Sequence, residues 1–245
     1  MDRPLGETSS IDISVVVPVY NEEENLPVLI PQIAEVLRSL KKTYEMIFVD
    51  DGSKDRSRQI LKEVAAQYPQ IRILGFKKNC GETAAGTAGI KEARGRIVIT
   101  IDADLQNDPT DIPRMLDYLK EYDMVTGWRQ KREDSWVKRI TSQIANRIRN
   151  SLSGEEIQDS GCTFRAYKRE CLRDIKLYKG MHRFLPTLVK MEGYRVIEIP
   201  IAHHPRKFGV SKYTTWNRMW RAFVDLLAVK WMKSRHIHYE IEERV

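Results

Sequence analysis

Only three cysteines occur in 245 residues, Cys80, Cys162 and Cys171. An odd count with no metal-ligand spacing argues against a disulfide framework and points to a reducing compartment. Long apolar runs are also missing. The longest candidate, Ala222 to Met232, is broken by Asp225 and Lys230, and falls short of the roughly 18 to 20 uninterrupted apolar residues that a bilayer span needs. The chain is therefore not expected to cross a membrane by itself. Residues 1–10 are polar, with Asp2, Pro4, Gly6 and Glu7, and lack the basic-then-apolar layout of a signal peptide. They read as a flexible tail. No internal repeat or low-complexity segment is present.

Acidic residues are outnumbered, giving a formal net charge of +7. That balance favours anionic partners: a membrane surface, nucleic acid or a phosphorylated substrate. Its distribution discriminates among them. Residues 205–235 carry Arg206, Lys207, Lys212, Arg218, Arg221, Lys230, Lys233 and Arg235 against a single acid, Asp225. Within this stretch Trp216, Met219, Trp220, Phe223, Leu227 and Trp231 recur at helical spacing. Such a stripe is often core. Its tryptophans and flanking cations favour a helix lying on lipid headgroups or against a partner, over a nucleic-acid groove.

The length suits one substantial domain. Short β-rich runs near 13–18, 45–50, 71–75 and 97–101 alternate with helical-period stretches, as in βαβ units with a mostly parallel sheet. Leu26, Leu29, Ile30, Ile33, Val36 and Leu37 form one apolar helix face, and Ile60, Leu61, Val64 and Ala65 another. Asn79-Cys80-Gly81-Glu82 reads as a loop entering a helix of small residues, with Gly81 a candidate turn glycine. Beyond Arg129, Val137, Ile140, Ile144 and Ile148 mark a further amphipathic face among basic residues.

Three of the strands run into acidic loops. Val15-Val16-Val17 leads to Pro18-Val19-Tyr20-Asn21-Glu22, Ile47-Phe48-Val49 to Asp50-Asp51-Gly52-Ser53, and Ile97-Val98-Ile99-Thr100 to Asp102-Ala103-Asp104-Leu105-Gln106. Open α/β sheets bind ligands at the carboxyl ends of their strands. Residues i and i+2 of an extended segment share a face, so Asp102 and Asp104 can converge on one hard cation. The alternative is that such acids merely terminate strands. For Asp50 the expected role is support of the turn into Gly52-Ser53.

Together these motifs resemble the nucleotide-sugar-binding half of a family 2, GT-A-type glycosyltransferase. Gly127-Trp128-Arg129, Asp159-Ser160-Gly161-Cys162-Thr163-Phe164-Arg165-Ala166-Tyr167 and Arg206-Lys207-Phe208-Gly209-Val210-Ser211-Lys212-Tyr213 are similar to segments of the polyprenyl-phosphate glycosyltransferases. Within that group, Arg129 to Trp136 and the Asp159 segment most resemble bacterial undecaprenyl-phosphate sugar transferases. The resemblance covers roughly residues 11 to 232. It implies an α/β, Rossmann-like mostly parallel sheet flanked by helices, with C-terminal amphipathic helices. The expected division is a tail over 1–10, a GT-A domain over 11–215 and an associating helix and tail over 216–245.

The resemblance also implies an inverting sugar transfer from a nucleotide diphosphate to a lipid phosphate at the cytoplasmic membrane face. Mg²⁺ or Mn²⁺ is the implied cofactor, with Asp102, Asp104 and Gln106 as metal ligands. Pro18, Tyr20, Glu22, Val49, Asp51 and Ala103 are the implied donor contacts. Asp51 can accept from a base N–H of uracil or guanine alike. Arg129, Arg206 and Lys212 match positions that meet donor or acceptor phosphate, through Arg's planar fork and Lys's mobile charge. Asp104, Asp159 and Arg129 form the catalytic set. Asp159 is either a general base or a positioning group for the sugar or for Arg165, since a phosphomonoester with a second pKa of about 6 is already largely ionised near neutral pH. Expected partners are the nucleotide sugar, a polyprenyl phosphate, a membrane surface and a small membrane protein, without nucleic acid. Competing readings are a transferase for a soluble or polysaccharide acceptor, a nucleotidyltransferase, which would carry a Gly-rich phosphate loop near its start, and a non-catalytic nucleotide or nucleic-acid binder.

Overall fold

Apolar runs and helical-period stretches alternate along the chain in the computed structural model, which describes residues 11–129, 157–159, 161–205 and 215–237. The principal elements are β1 (Ile13–Val19), α1 (Leu26–Ser39), β2 (Tyr44–Asp50), α2 (Ser57–Ala65), β3 (Ile71–Gly75), α3 (Glu82–Glu92), β4 (Ile97–Thr100), α4 (Ile112–Tyr118), β5 (Met124–Arg129), β6 (Arg165–Lys168), α5 (Leu185–Met191), β7 (Val196–Ile201) and α6 (Thr215–Arg235). The apolar face between 137 and 148 lies outside the described residues.

One mixed sheet has the order β3-β2-β1-β4-β6-β5-β7. β1 pairs in parallel with β2 and β4, β2 with β3, and β5 with β7. Among the described strands only β6 runs antiparallel, between β4 and β5. Strands of a sheet covered on both faces read as continuous apolar runs, and β1 obeys this. Val15 and Val17 pack with Leu29, Ile33 and Phe48 on one side, while Val16 joins Ile47, Val49 and Ala85 on the other. All four predicted strands form, and the expected mostly parallel α/β sheet is present.

α3 approaches β1 closely because of Gly89, where an added Cβ would lie 2.3 Å from Val16 Cγ1. Gly89→Ala recovers at most about 1 kcal/mol of helix propensity. Val16 is fully buried, and overpacking of this kind costs about 1 to 3 kcal/mol. Denaturant unfolding of Gly89→Ala is therefore expected to show a net loss of about 1 kcal/mol; equal or higher stability would mean that α3 can shift freely.

Among the described residues, α6 packs through one side. Leu226 and Val229 bury themselves against Met181 and Phe184, whereas Phe223, Val224, Leu227 and Trp231 are exposed. Trp216, Met219 and Trp220 belong to the same helix, but their side chains lie outside the described set. Among the described residues, no helix is long and apolar enough to cross a membrane. All three cysteines are free thiols, in keeping with the absence of a disulfide framework.

Candidate active site

The loops after β1 and β2 are stitched into one rim. Asn21, held at φ 54°, donates its N–H to Ser53 Oγ at 3.0 Å, and its side chain accepts from Lys54 N at 2.7 Å. Glu22 N donates to Ser57 Oγ at 2.7 Å. Pro18, Tyr20 and Glu22 are partly exposed along this rim. Asp50 plays its expected supporting part: it accepts from Ser53 N at 3.0 Å and pairs with Arg58 Nε.

Two of the expected donor positions are enclosed. The Val49 side chain is fully buried in the core beside Val16 and Ala85, which leaves only its main chain for a donor contact. Asp51 is only 3% exposed, and its carboxylate accepts from Cys80 N at 2.6 Å, Gly81 N at 2.8 Å and Asn79 Nδ2 at 2.8 Å. From this enclosed position it organises the loop ahead of α3. Gly81, at φ 94°, is a turn glycine whose N–H serves this clamp.

Past β4 the chain bends, with Leu105 at φ 59°, yet burial still alternates. Ile101, Ala103 and Leu105 point into the core, and Asp102, Asp104 and Gln106 are partly exposed. The implied contact at Ala103 is thus limited to main chain. Asp104 accepts from Gln106 N at 3.2 Å, and Asp102 accepts from the Thr163 hydroxyl. The Gln106 amide reaches His204 O at 3.4 Å, while His204 N donates to Gln106 O at 2.8 Å. Gln106 thereby ties the acidic turn to the segment after β7. That segment leads to Arg206 and Lys212, which lie outside the described residues.

Burial, followed by the negative charges of Glu82 and Asp104, pushes the Asp102 carboxyl up to about 7; Thr163 and Arg129 oppose the rise. Such crowding of acids suits a divalent cation. Hard carboxylate oxygens match Mg²⁺ or Mn²⁺, and Mg²⁺ is commonly held by one or two carboxylates plus phosphate oxygens and water. Among the described residues no cluster of three or more His, Cys, Asp or Glu side chains makes a closed cage. The pair fits a metal shared with a phosphorylated ligand.

Arg129, at the end of β5, forks onto Asp159 through Nε–Oδ2 at 2.6 Å and Nη2–Oδ1 at 2.8 Å. Their side chains are 16% and 6% exposed. Burial opposes the charge on Arg129, but the hydrogen bonds and charge of Asp159 outweigh it and raise the guanidinium pKa. Asp102 and Arg129 lie within mutual electrostatic reach. Arg165, fully enclosed, donates to His182 O at 2.6 Å and Thr126 Oγ1 at 3.3 Å. Among the described contacts, the arginine that Asp159 holds is Arg129.

Several neighbours had no role assigned from the sequence, because they reach the site from distant elements. Thr163 orients Asp102. Glu82, at the start of α3, raises the Asp102 carboxyl and lies 3.5 Å from His182 Nε2. Glu198 of β7 accepts from Gln158 N at 2.7 Å and Asp159 N at 3.0 Å.

An acidic pair within electrostatic reach of a buried, carboxylate-held arginine thus lies at the carboxyl end of a mostly parallel sheet of GT-A type. The Glycosyl transferase family 2 model matches residues 14–176, and the chain belongs to that family. It is 38% identical over 239 residues to the dodecaprenyl-phosphate galacturonate synthase of Rhizobium johnstonii, covering 94% of this chain and 70% of that protein. It is 41% identical over 206 residues to the undecaprenyl-phosphate 4-deoxy-4-formamido-L-arabinose transferase of Pectobacterium atrosepticum, covering 83% of this chain and 63% of that protein. The kinship with polyprenyl-phosphate glycosyltransferases is as expected from the motifs, although the chain spans less than two thirds of the arabinose transferase. The fold is shared with glucosyl-3-phosphoglycerate synthase from Mycobacterium tuberculosis, solved with Mg²⁺ and uridine diphosphate, at TM-score 0.66 and 19% identity over 89% of this chain and 79% of that one. It is also shared with a mannosyltransferase from Pyrobaculum calidifontis, solved with GDP-mannose and Mn²⁺, at TM-score 0.60 and 19% identity over 95% of this chain and 66% of that one.

Proposed function

We propose that this chain transfers a sugar from a nucleotide diphosphate to a polyprenyl phosphate, inverting the anomeric carbon, at a membrane surface. The observation that carries this reading is the juxtaposition of Asp102 and Asp104 with the Arg129–Asp159 fork. Asp102 and Asp104 would hold Mg²⁺ or Mn²⁺ against the donor diphosphate, where the ion supplies charge neutralisation of the leaving group. Arg129 has N–H donors beyond the two on Asp159, and among the described residues nothing else takes them up. A mostly enclosed guanidinium in that state suits a phosphate oxygen.

Asp159 acts in this scheme by fixing Arg129. An ionised lipid phosphate needs alignment more than deprotonation, and a carboxylate clamped on both oxygens is poorly placed to accept a proton. Pro18, Tyr20 and Glu22 border the nucleotide. The acceptor's lipid chain requires the site to work beside a bilayer. α6 supports this with exposed Phe223, Val224, Leu227 and Trp231 alongside exposed Lys230, Lys233 and Arg235, the composition of a headgroup-lying helix.

The deciding assay incubates the protein with Mg²⁺, undecaprenyl phosphate in vesicles and a panel of UDP- and GDP-sugars, with mass spectrometry of the lipid extract. A phosphoglycolipid is expected from one donor; transfer only to soluble acceptors would overturn the lipid reading. For the surface, Leu227→Asp with Trp231→Asp should weaken sedimentation with anionic vesicles about tenfold or more, because burying one such side chain is worth about 1.5 to 3 kcal/mol. Unchanged sedimentation would remove α6 from the contact.

A further inference from the structure

We propose that Glu198 is a positioning residue for the transfer reaction, setting the Arg129 fork from beneath through the backbone that carries Asp159; this rests on the proposed role of Arg129 at phosphate. Glu198 sits in β7 opposite Thr126 of β5 in the parallel register. A glutamate on such a strand would ordinarily face solvent. Here each carboxylate oxygen accepts one backbone N–H, Oε2 from Gln158 at 2.7 Å and Oε1 from Asp159 at 3.0 Å.

The consequence follows from what these two hydrogen bonds fix. Residues 157–159 belong to no helix or strand, so no ladder fixes their height above the sheet. Ile157 is 4% exposed and Asp159 5%, so their main chain cannot rely on water. Glu198 thus places the Asp159 backbone, and the Asp159 carboxylate in turn places the guanidinium of Arg129 in two dimensions through paired N–H···O contacts. Arg129 N also donates to Asp159 Oδ2 at 3.3 Å, which closes the unit on β5. Glu198, Asp159 and Arg129 form one rigid relay from strand to phosphate donor.

Glutamine is the discriminating substitution. Glu198→Gln keeps shape and one carbonyl acceptor, but turns an NH₂ toward the second backbone N–H. With undecaprenyl phosphate vesicles and the donor that supports turnover, Glu198→Gln is expected to lower kcat about 10- to 100-fold, the scale of a misplacement of about 1 Å, with KM for the nucleotide sugar unchanged. In an Arg129→Lys background the same change should cost less than about twofold, because the fork it serves is gone. Full multiplicative losses in the double variant would overturn the relay.

A second readout is independent of turnover. Phenylglyoxal modification of Arg129, followed by peptide mass spectrometry, should accelerate several-fold in Glu198→Gln, while Arg72, paired with Glu45 at 2.9 Å, keeps its wild-type rate. Equal acceleration at both arginines would mean general loosening and sink the proposal, as would no change at Arg129. If Arg129 alone accelerates and wild type transfers no sugar to polyprenyl phosphate, the relay stands and the proposed reaction fails.

Discussion

Asp104→Asn is expected to leave a folded protein whose sugar transfer has fallen about 10³-fold, and Asp102→Asn to do the same. An amide keeps the size of each side chain and removes the charge that would hold a divalent cation. Metal stabilisation of a departing diphosphate is worth several kcal/mol, and about 4 kcal/mol corresponds to three powers of ten in rate. The two variants should differ in stability. Burial, followed by the charges of Glu82 and Asp104, pushes the Asp102 carboxyl up to about 7. The folded state therefore holds this proton more tightly than the unfolded chain does. Stability contributed by the protonated form is present below the ordinary carboxylate range and is lost as pH rises from about 4 to about 7. Above that window the charge is a standing penalty, which Asn abolishes.

In metal-free buffer Asp102→Asn should thus melt higher than wild type at pH 8, with the gap narrowing toward pH 5. Asp102 is partly open to solvent, which reduces the gain to about 1 kcal/mol. Thermal melts at both pH values test the claim; a variant melting lower than wild type at pH 8 would show that the Thr163 hydrogen bond outweighs the repulsion. A site that is costly to the fold and indispensable to turnover is what a functional acid cluster should look like.

How much of this was legible in the sequence depended on the range of the interaction. The early strands and α1 announced themselves through local periodicity, because burial on both faces makes β1 and β2 continuously apolar. The alternation through Ile101, Asp102, Ala103 and Asp104 likewise survived the bend after β4. Adjacency alone did not show where burial differs between neighbours: Val49 precedes the Asp50–Asp51 pair yet its side chain is core, and Asp51 is engaged by Asn79, Cys80 and Gly81, nearly thirty positions away. The antiparallel insertion of β6 between β4 and β5 has no local signature, since it is decided by pairings such as Thr100 with Arg165. Glu198, and the part Thr163 plays within its motif, were unreadable for the same reason. Their meaning lies in which backbone and which carboxylate the fold brings to them.

The second large effect is expected at the Arg129–Asp159 fork. Arg129→Ala should lower kcat about 10²- to 10³-fold, and it should also destabilise the protein by about 3 to 5 kcal/mol, because it strands a buried carboxylate without its partner. Arg129→Lys separates the two consequences. Lysine retains a positive charge for Asp159 but offers no planar fork, so much of the stability should return while kcat stays depressed at least tenfold. Asp159→Asn then distinguishes a positioning role from general-base catalysis. As a base, Asp159 would impose an acidic limb on the pH dependence of kcat that Asn would erase. As a clamp, it accepts from Nε at 2.6 Å and Nη2 at 2.8 Å in the resting protein, and Asn can satisfy only one of these donors. The expected result is a uniform drop of about 10- to 100-fold with the shape of the profile unchanged, since the acceptor phosphate supplies its own ionised oxygen. Loss of the acidic limb in Asp159→Asn would restore the general base and leave Arg129 as its counter-ion alone.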